Sequence, residues 1–236
     1  MTSTDNMSII LKKSSGNVLS EKIHEIGIIA LGSHRENHGS ALPIDTDSKI
    51  AANVALNIAT KTGATFLGIF YAATEFEYIR HGIHLKKDKL VFEQIIPQLV
   101  NAKNMLNIKK VIIVNGHGGN NIIIDDMAKI ECETGLKIVF NNSIIENEGP
   151  HACTGELSMG KVLGIIDESR IEEHSNFDLN PEVAMIGLEL ARKNNKIIDQ
   201  EALKIEKEGF KVDEEFGKKL LEDAEKSVLE DVERLL

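Results

Sequence analysis

The pattern of apolar and polar positions predicts that strands and helices alternate along the chain. Continuous apolar runs, such as IGIIAL at 26–31, are typical of strands buried on both faces of a sheet, whereas apolar residues three and four apart indicate helices. The predicted strands are 26–31, 65–71, 110–114 and 137–141. The predicted helices are 48–62, 88–106 with a kink at Pro97, 121–133, 155–166, 181–193 and 213–236. This alternation predicts an α/β fold in which helices cover both faces of a mostly parallel sheet.

The composition is that of a globular protein, and it narrows the classes of partner. Of the 236 residues, 42% are hydrophobic and 27% are charged, so the chain can bury a sizeable core. The net charge of −10 argues against a broad surface for nucleic acid or anionic membranes, because both need basic patches. An aromatic content of 4% without Trp leaves few platforms for stacking bases. A local pocket for a small anion stays compatible with this charge.

The beginning of the chain and its cysteines predict where the protein works. The chain begins without a basic segment followed by a signal-type apolar run, and no apolar run is long enough to span a bilayer. Two cysteines cannot build a disulfide framework, which favours a reducing compartment. We therefore expect a soluble, cytoplasmic protein. No linker interrupts the chain, so we expect one domain over 1–236, in which 1–8 are flexible.

Polar residues are concentrated in the loops that follow the predicted strands 26–31 and 110–114. In parallel sheets, sites form in the loops beyond the carboxyl ends of the strands. In the first loop, Glu36 and His38 are two positions apart, so both side chains face one locus if the segment is extended. Asp47 lies at the start of the next predicted helix. The alternatives are a helix cap for Asp47 and a solvated loop for the other two.

The second loop has the sequence NGHGGN at 115–120. It exposes His117 at the end of a strand, and flanking glycines allow other groups to approach the backbone closely. The amide groups of Gly118 and Gly119 are suited to an anion-binding nest at the start of the following helix. A tight turn with an incidental histidine is the alternative.

A third polar segment, 151–158, contains His151 and Glu156. Glu156 opens a predicted helix, so compensation of the helix dipole is its alternative role. His151 follows a Gly-Pro turn, and simple exposure is its alternative. We interpret Cys153 as a structural thiol, because the sequence specifies no basic group that would activate it.

A basic segment at 80–87 stands out in this acidic chain. It contains Arg80, His81 and His84, and an anionic substrate needs such charge near the site. A solvated loop is the alternative for these residues. His174 belongs to no motif that supports a site, and we expect it at the surface.

The carboxylates and imidazoles of these loops form the donor set of a hydrolytic metal site. Mixed oxygen and nitrogen ligands suit Zn, Mn or Fe(II) better than metals that are selected by thiolates. A shared aspartate can bridge two ions about 3.5 Å apart and hold a hydroxide between them. The segments together therefore predict a metal centre that none of them indicates alone.

Three motifs in order resemble those of the creatininase family of metal-dependent amidohydrolases. Residues 32–47 resemble its G-S-x-E-x-H-G-x-x-L-P-x-x-T-D motif, with the pair His34-Arg35 before the glutamate. Residues 115–120 match N-G-H-G-G-N in full, and residues 151–158 resemble H-A-x-x-x-E-T-S with Leu157 in place of Thr. The resemblance implies a three-layer α/β sandwich with a mostly parallel central sheet. It also implies a dinuclear centre of Fe(II) or Zn(II), with Mn(II) possible, and a homo-oligomer, either a dimer or a hexamer.

The same resemblance implies roles for individual residues. Glu36 resembles a ligand of one metal and His38 a ligand of the other, and Asp47 resembles the bridge between them. His117 resembles a ligand of the second metal. Creatininases proper have a glutamate at the position of Gly119, where it completes the first metal.

The glycine at 119 leaves that ligand unassigned. We expect Glu156 to replace it. His151 is then the group that transfers a proton or stabilises an oxyanion.

The resemblance also bears on the substrate. Gly119 and the absence of Trp argue against creatinine. The small size and the stretch at 73–82 resemble the archaeal branch of the family, which removes a formyl group from a formylaminopyrimidine ribonucleotide monophosphate on the route to riboflavin and a deazaflavin coenzyme. Arg80, His81, His84 and the glycines of the nest are the expected substrate-binding residues.

Two other functions stay open at this point. One is a creatininase-like amidohydrolase that acts on a cyclic amide or a peptide. The other is a non-catalytic nucleotide-binding module that uses the glycine nest and the basic segment. Metal analysis separates the module from the enzymes, because an anion nest does not require the carboxylate and histidine ligands.

Overall fold

Four parallel strands form the centre of the protein. The structure, a computed structural model, describes residues 22–236, so the predicted flexible segment 1–8 lies outside the described residues. The strands are β1 (Ile26–Leu31), β2 (Thr65–Ile69), β3 (Lys110–Asn115) and β4 (Lys137–Asn141). Their order across the sheet is β2-β1-β3-β4, and every neighbouring pair is parallel. The predicted α/β fold and the parallel sheet are confirmed.

Helices lie between and after these strands. They are α1 (Thr46–Thr62), α2 (Lys87–Lys89), α3 (Ile96–Leu106), α4 (Met127–Thr134), α5 (Ser143–Glu148), α6 (Thr154–Leu163), α7 (Ile171–His174), α8 (Glu189–Asn194), α9 (Lys196–Glu208) and α10 (Glu214–Leu235). Tighter 3-10 turns cover Lys22–Glu25, Gly118–Asp126, Glu168–Arg170 and Val183–Met185, and a π-helical turn covers Leu90–Ile95. Among the described residues, no helix combines the length and the apolar character that crossing a membrane requires.

The two faces of the sheet carry separate hydrophobic cores. Successive side chains of a strand point to opposite faces. Ile28 and Ala30 of β1 therefore pack on the face that is covered by α1, α6 and α10. Ile29 and Leu31 pack on the other face, against α3, α4 and the π-helical turn. This arrangement forms three layers, with the sheet in the middle.

Two predicted helices are locally irregular for identifiable reasons. The helix predicted at 88–106 changes to a π-helical turn directly before Pro97. Proline lacks an N–H group and its ring collides with the preceding turn, so an irregularity is expected there. The helix predicted at 121–133 begins as the 3-10 turn Gly118–Asp126 and becomes α-helical only at Met127.

The helix predicted at 181–193 is wrong. The segment contains the short turn Val183–Met185 and then α8, with Ala184 and Met185 in the left-handed region at φ 49° and 56°. The N–H of Ala184 donates to the carbonyl oxygen of His151 at 2.8 Å, a contact with a distant segment that holds this conformation. Helix α9 follows and was not predicted, and Asn195 caps it by accepting hydrogen bonds from two backbone N–H groups.

Candidate metal centre

The loop after β1 is held in place by backbone hydrogen bonds from two directions. The N–H of Glu36 donates to the carbonyl of Ile44 at 3.0 Å, and the N–H of Asn37 donates to the carbonyl of His81 at 2.8 Å. The loop after β3 lies beside the loop after β1, because β1 and β3 are neighbours in the sheet. A side chain at Gly116 would lie 2.6 Å from the Asp47 carbonyl oxygen, so only glycine allows this approach. The two polar loops therefore meet at the carboxyl edge of the sheet.

Asp47 lies between two histidines, in the first turn of α1. Its Oδ1 is 2.8 Å from Nε2 of His38, and its Oδ2 is 2.9 Å from Nδ1 of His117. The carboxylate is buried, as are both imidazoles. His38 Nδ1 faces the carbonyl oxygen of Glu36 at 3.1 Å, which directs Nε2 towards the aspartate. The two oxygens of Asp47 therefore face two different imidazoles, as a carboxylate that bridges two ions would.

His117 groups with Glu36 instead of with His38. Its Nδ1 is 3.0 Å from Oε2 of Glu36, while its Nε2 donates to the carbonyl oxygen of Thr74 at 3.1 Å. The resemblance assigned His117 to the same metal as His38, and that assignment stays a prediction. In the structure, the contact with Thr74 orients the His117 ring so that Nδ1 points to the carboxylates of Glu36 and Asp47.

Glu156 lies on the other side of Asp47, beside His38. Its Oε2 is 3.3 Å from Nε2 of His38, and its Oε1 accepts a hydrogen bond from the Ala152 N–H at 3.0 Å. The first turn of α6 carries this carboxylate, and it is buried. The structure therefore places the Glu156 carboxylate closest to His38, and its expected role as the substitute ligand of the first metal stays a prediction.

His151 lies at the edge of this cluster, between two of its carboxylates. Its Nε2 faces the carbonyl oxygen of Asn37 at 2.8 Å and therefore donates to it. Nδ1 lies 3.7 Å from a carboxylate oxygen of Glu36 and 3.7 Å from one of Glu156. Its ring is 4.5 Å from that of His38. The free nitrogen of His151 thus faces the space between the predicted ligands.

The basic segment at 80–87 divides into an inner and an outer part. His81 and His84 turn inward, with their Nε2 atoms 2.6 and 3.6 Å from the Glu36 carboxylate, because Ile83 N–H donates to the Arg35 carbonyl at 2.8 Å. Burial, together with the neighbouring His151, lowers the pKa of His81 to about 3. His81 is therefore neutral at pH 7 and brings no positive charge to a phosphate.

The outer part of the segment lines a cavity of about 1010 Å³. Arg80 and Lys86 are exposed there, and Lys87 pairs with Asp126 at 2.9 Å. A second cavity of about 540 Å³ adjoins the carboxylates and histidines and includes Gly118 and Gly119 in its lining. Both volumes are in the range that small-molecule sites have.

The electrostatics of the cluster require positive charge. Burial would raise the pKa of Glu36, but the facing His117 brings that pKa well below its ordinary value. Burial would lower the pKa of His38, but Asp47 and the second carboxylate beside it raise that pKa well above its ordinary value. Buried carboxylates without compensating cations are strongly unfavourable. These carboxylates therefore keep their charge only when positive charge lies among them, either on protonated imidazoles or on bound cations.

Buried carboxylate oxygens without an aligned hydrogen-bond partner indicate whether divalent metal ions fit the cluster. Within residues 22–236, no hydrogen-bond partner is aligned with either oxygen of Glu36, with Oδ2 of Asp47, or with Oε2 of Glu156, although nitrogens lie close to all of them. Close nitrogen and oxygen atoms that do not align as hydrogen bonds are the arrangement of ligands around a common cation. Carboxylates and imidazoles suit Zn, Mn or Fe(II). The residues therefore fit divalent ions.

Sequence reasoning missed Glu75, which belongs to this cluster. Four groups offer ligand atoms that lie within 4.8 Å of one another: Glu36, Glu75, His84 and His117. The Glu75 side chain is 5% exposed, and its Oε2 is 3.4 Å from Nε2 of His117. Its signal is its place in the loop that follows β2, at the same carboxyl edge of the sheet as the other loops.

The prediction that His174 lies at the surface is wrong. Its residue is fully buried, its Nδ1 accepts from the Ala41 N–H at 3.1 Å, and its Nε2 faces the Ala152 carbonyl oxygen at 2.8 Å. It joins the loop after β1 to the segment before α6. Cys153 is buried beside this region, and burial raises its pKa, which agrees with a structural thiol.

The chain is similar to proteins of one family over almost its whole length. The family model described as "Creatininase: Creatinine amidohydrolase" matches residues 18–232. A protein of Methanosphaera stadtmanae is 69% identical over 97% of this chain and 98% of its own length. A protein of Methanothermobacter thermautotrophicus is 51% identical over 98% of this chain and 97% of its own length. Both are named "2-amino-5-formylamino-6-ribosylaminopyrimidin-4(3H)-one 5'-monophosphate deformylase".

Solved structures share the fold at low sequence identity. A crystal structure of creatinine amidohydrolase (creatininase) superimposes with a TM-score of 0.60 at 13% identity, over 99% of this chain and 95% of that one. A structure described as "Creatininase Mn" superimposes with a TM-score of 0.57 at 14% identity, over 99% of this chain and 96% of that one. These structures establish the architecture of the chain.

Proposed function

Because the chain belongs to the creatininase family, we propose that it removes formyl, as formate, from 2-amino-5-formylamino-6-ribosylaminopyrimidin-4(3H)-one 5'-phosphate. Near-full-length relatives that are 43–69% identical carry the name of this deformylase. The chain is a hydrolase, and the reaction lies in riboflavin and coenzyme biosynthesis. The observation that carries the proposal at the site is Asp47, whose two oxygens face two separate histidines.

Two groups of side chains would hold the ions. Glu36, Asp47 and His117 would hold one, and His38, Asp47 and Glu156 would hold the other. The donor set favours Fe(II) or Zn(II), with Mn(II) as the third candidate. Bound divalent ions supply a Lewis acid for the formyl carbonyl and lower the pKa of a reacting water.

The protein's own side chains provide the proton transfers. Cleavage of a formamide adds water across the C–N bond, so the departing amine needs a proton and the attacking water must lose one. His151 performs both transfers in this proposal, because its Nε2 is engaged with the Asn37 carbonyl and its Nδ1 faces the centre. Glu156 is the second candidate for the proton donor. The products are formate and the free aminopyrimidine nucleotide.

The outer cavity provides charge for the phosphate of the substrate. Arg80 and Lys86 are exposed in this cavity, and we propose that they bind the phosphate. Gly118 and Gly119 line the second cavity, and their role in substrate binding stays a prediction. His84 lies between the outer cavity and Glu36, so it would contact the pyrimidine end of the substrate. The cytoplasmic location, the single domain and the homo-oligomer stay predictions.

A direct assay tests the proposal. Purified protein loaded with Fe(II) should release one formate per nucleotide, and Glu36→Ala should abolish the release while the circular-dichroism spectrum stays unchanged. A fully loaded protein that releases no formate from this nucleotide, but hydrolyses a cyclic amide or a peptide, would reject the deformylase in favour of another amidohydrolase. Tight nucleotide binding without bound metal or turnover would favour the non-catalytic module.

A further inference from the structure

Gly119 has no room for a side chain because the Glu75 carboxylate lies there. A Cβ atom at position 119 would be 2.5 Å from Oε1 of Glu75 and 2.6 Å from Nε2 of His117. Contacts this short do not occur for real Cβ atoms, so one of the groups would have to move. The backbone at Gly119 is not in the left-handed region, and other residues could adopt its conformation. Glycine at this position therefore allows the Glu75 carboxylate to lie close to the backbone.

Hydrogen bonds hold the Glu75 segment against the loop after β3. The N–H of Thr74 donates to Oδ1 of Asn120 at 3.0 Å, and its carbonyl oxygen accepts from His117 at 3.1 Å. Oε1 of Glu75 accepts from the Phe76 N–H at 2.7 Å. Two segments that are more than 40 residues apart are thus joined, and Oε2 is left to face the cluster.

The negative charges around Glu75 favour a bound cation. Glu36 and Glu75 are both buried carboxylates, and within residues 22–236 their only ion-pair partners are histidines. Two buried carboxylates whose oxygens are within 4.8 Å repel each other unless a cation lies between them. Both oxygens of Glu36, a residue that is 1% exposed, lack an aligned hydrogen-bond partner among the described residues.

We propose that Glu75 is a ligand of the metal ion held by Glu36 and His117. The chain thereby provides, from the loop after β2, a further carboxylate for this ion. The proposal rests on the metal centre of the proposed function and adds a ligand to it.

A supporting role for Glu75 is less consistent with the geometry. A carboxylate often accepts a hydrogen bond from the second nitrogen of a metal-binding histidine. In this protein Nε2 of His117 already donates to the Thr74 carbonyl at 3.1 Å, and Oε2 of Glu75 is farther away at 3.4 Å. The Glu75 carboxylate is therefore not needed to orient His117. The role that remains for it is that of a ligand within the cluster.

The test compares Glu75→Gln with Glu77→Gln. Both variants replace a glutamate by its neutral isostere in the same loop, but Glu77 is exposed and belongs to none of the ligand clusters. Zn(II) affinity is measured by competition with a chromogenic chelator, and the ligand field is measured from the visible absorption of the Co(II)-loaded protein. Circular dichroism of the metal-free proteins verifies folding, and Glu75→Asp replaces Glu75→Gln if the latter does not fold.

We expect Glu75→Gln to weaken one Zn(II) equivalent by at least about 10- to 100-fold, the loss typical even of groups that only support a ligand. The Co(II) absorption bands of that equivalent should change, whereas Glu77→Gln should match the wild type in both measurements. Unchanged affinity would overturn the proposal, and so would weaker binding with an unchanged Co(II) spectrum, since that result indicates a supporting role. If the wild type itself binds no metal, the proposed function fails instead.

Discussion

Two regions of this protein bury histidines, and they treat the ring nitrogens differently. At the carboxyl edge of the sheet, His38 and His117 face carboxylates, and among residues 22–236 both oxygens of Glu36 and Oδ2 of Asp47 lack an aligned partner. In the region around α7, His174 is buried as deeply, but both of its nitrogens meet backbone groups at 2.8–3.1 Å. The cluster at the sheet edge contains excess negative charge. In the region around α7, no carboxylate among the described residues lies at hydrogen-bond distance from the His174 ring.

The difference shows that burial of a histidine does not by itself indicate a metal site. His174 is a hydrogen-bonded connector between two loops, and its burial is compensated within the protein. The cluster around Asp47 is not compensated in this way, because its oxygens and nitrogens converge without pairing fully. Substitution in the Asp47 cluster should therefore impair activity and the response to metal, whereas substitution of His174 should lower stability and leave metal binding unchanged. Four predictions test this contrast.

The largest expected effect is on activity, in Asp47→Asn. Loss of the charge that faces both His38 and His117 removes several kcal/mol of transition-state stabilisation, so formate release should fall by at least about 10³-fold. Asp45→Asn is the matched control, because within residues 22–236 the Asp45 carboxylate forms an ion pair with Lys49 and with no other side chain. Steady-state assays at full metal loading measure both variants. Near-normal turnover in Asp47→Asn would contradict its assignment as the bridge.

The second effect is on stability, in His174→Ala. The substitution leaves the Ala41 N–H and the Ala152 carbonyl unpaired and opens a cavity beside Phe210, so the free energy of unfolding should fall by about 3 kcal/mol. Metal content should stay that of the wild type. Chemical denaturation and metal analysis together check this outcome. A variant that keeps its stability but loses metal would remove the distinction between the two regions.

The change in Tm on metal removal should distinguish substitutions in the two regions. An ion that binds only the folded state stabilises it by about 2.7 kcal/mol at one hundred times its Kd. A chelator should therefore lower the Tm of the wild type and of His174→Ala by roughly 5–10 °C. Asp47→Asn should lose much of this response, since its ions bind weakly. Differential scanning calorimetry with and without chelator provides the comparison, and an equal response in all three proteins would refute it.

The smallest effect is a pH dependence of stability from His174. Burial lowers the pKa of His174 in the folded protein, so the unfolded chain binds a proton at this position more readily. This contribution to stability is present above the unfolded pKa of about 6.5 and is lost as the pH falls through the folded pKa. The metal-free wild type should therefore lose more free energy of unfolding between pH 7 and pH 5 than His174→Gln. Parallel curves for the two proteins would contradict this contribution.

The ligand-rich segments could be found from the sequence because their chemistry is local. Glu36 and His38 are two positions apart, and the motif around His117 follows a recognisable strand. The convergence of these segments follows from a general property of parallel sheets. The orientation of His117 towards Glu36 could not be found, because it depends on a hydrogen bond to Thr74, 43 residues away.

The sequence by itself determined the alternation of strands and helices, the parallel sheet, and the residues that converge at its carboxyl edge. Apolar periodicity and short-range spacing carry that information. Only the tertiary structure decided that Glu75 reaches the space beside Gly119, that His81 turns inward, and that His174 is a buried connector. These outcomes depend on contacts between segments far apart in the chain, and no local pattern of residues records such contacts.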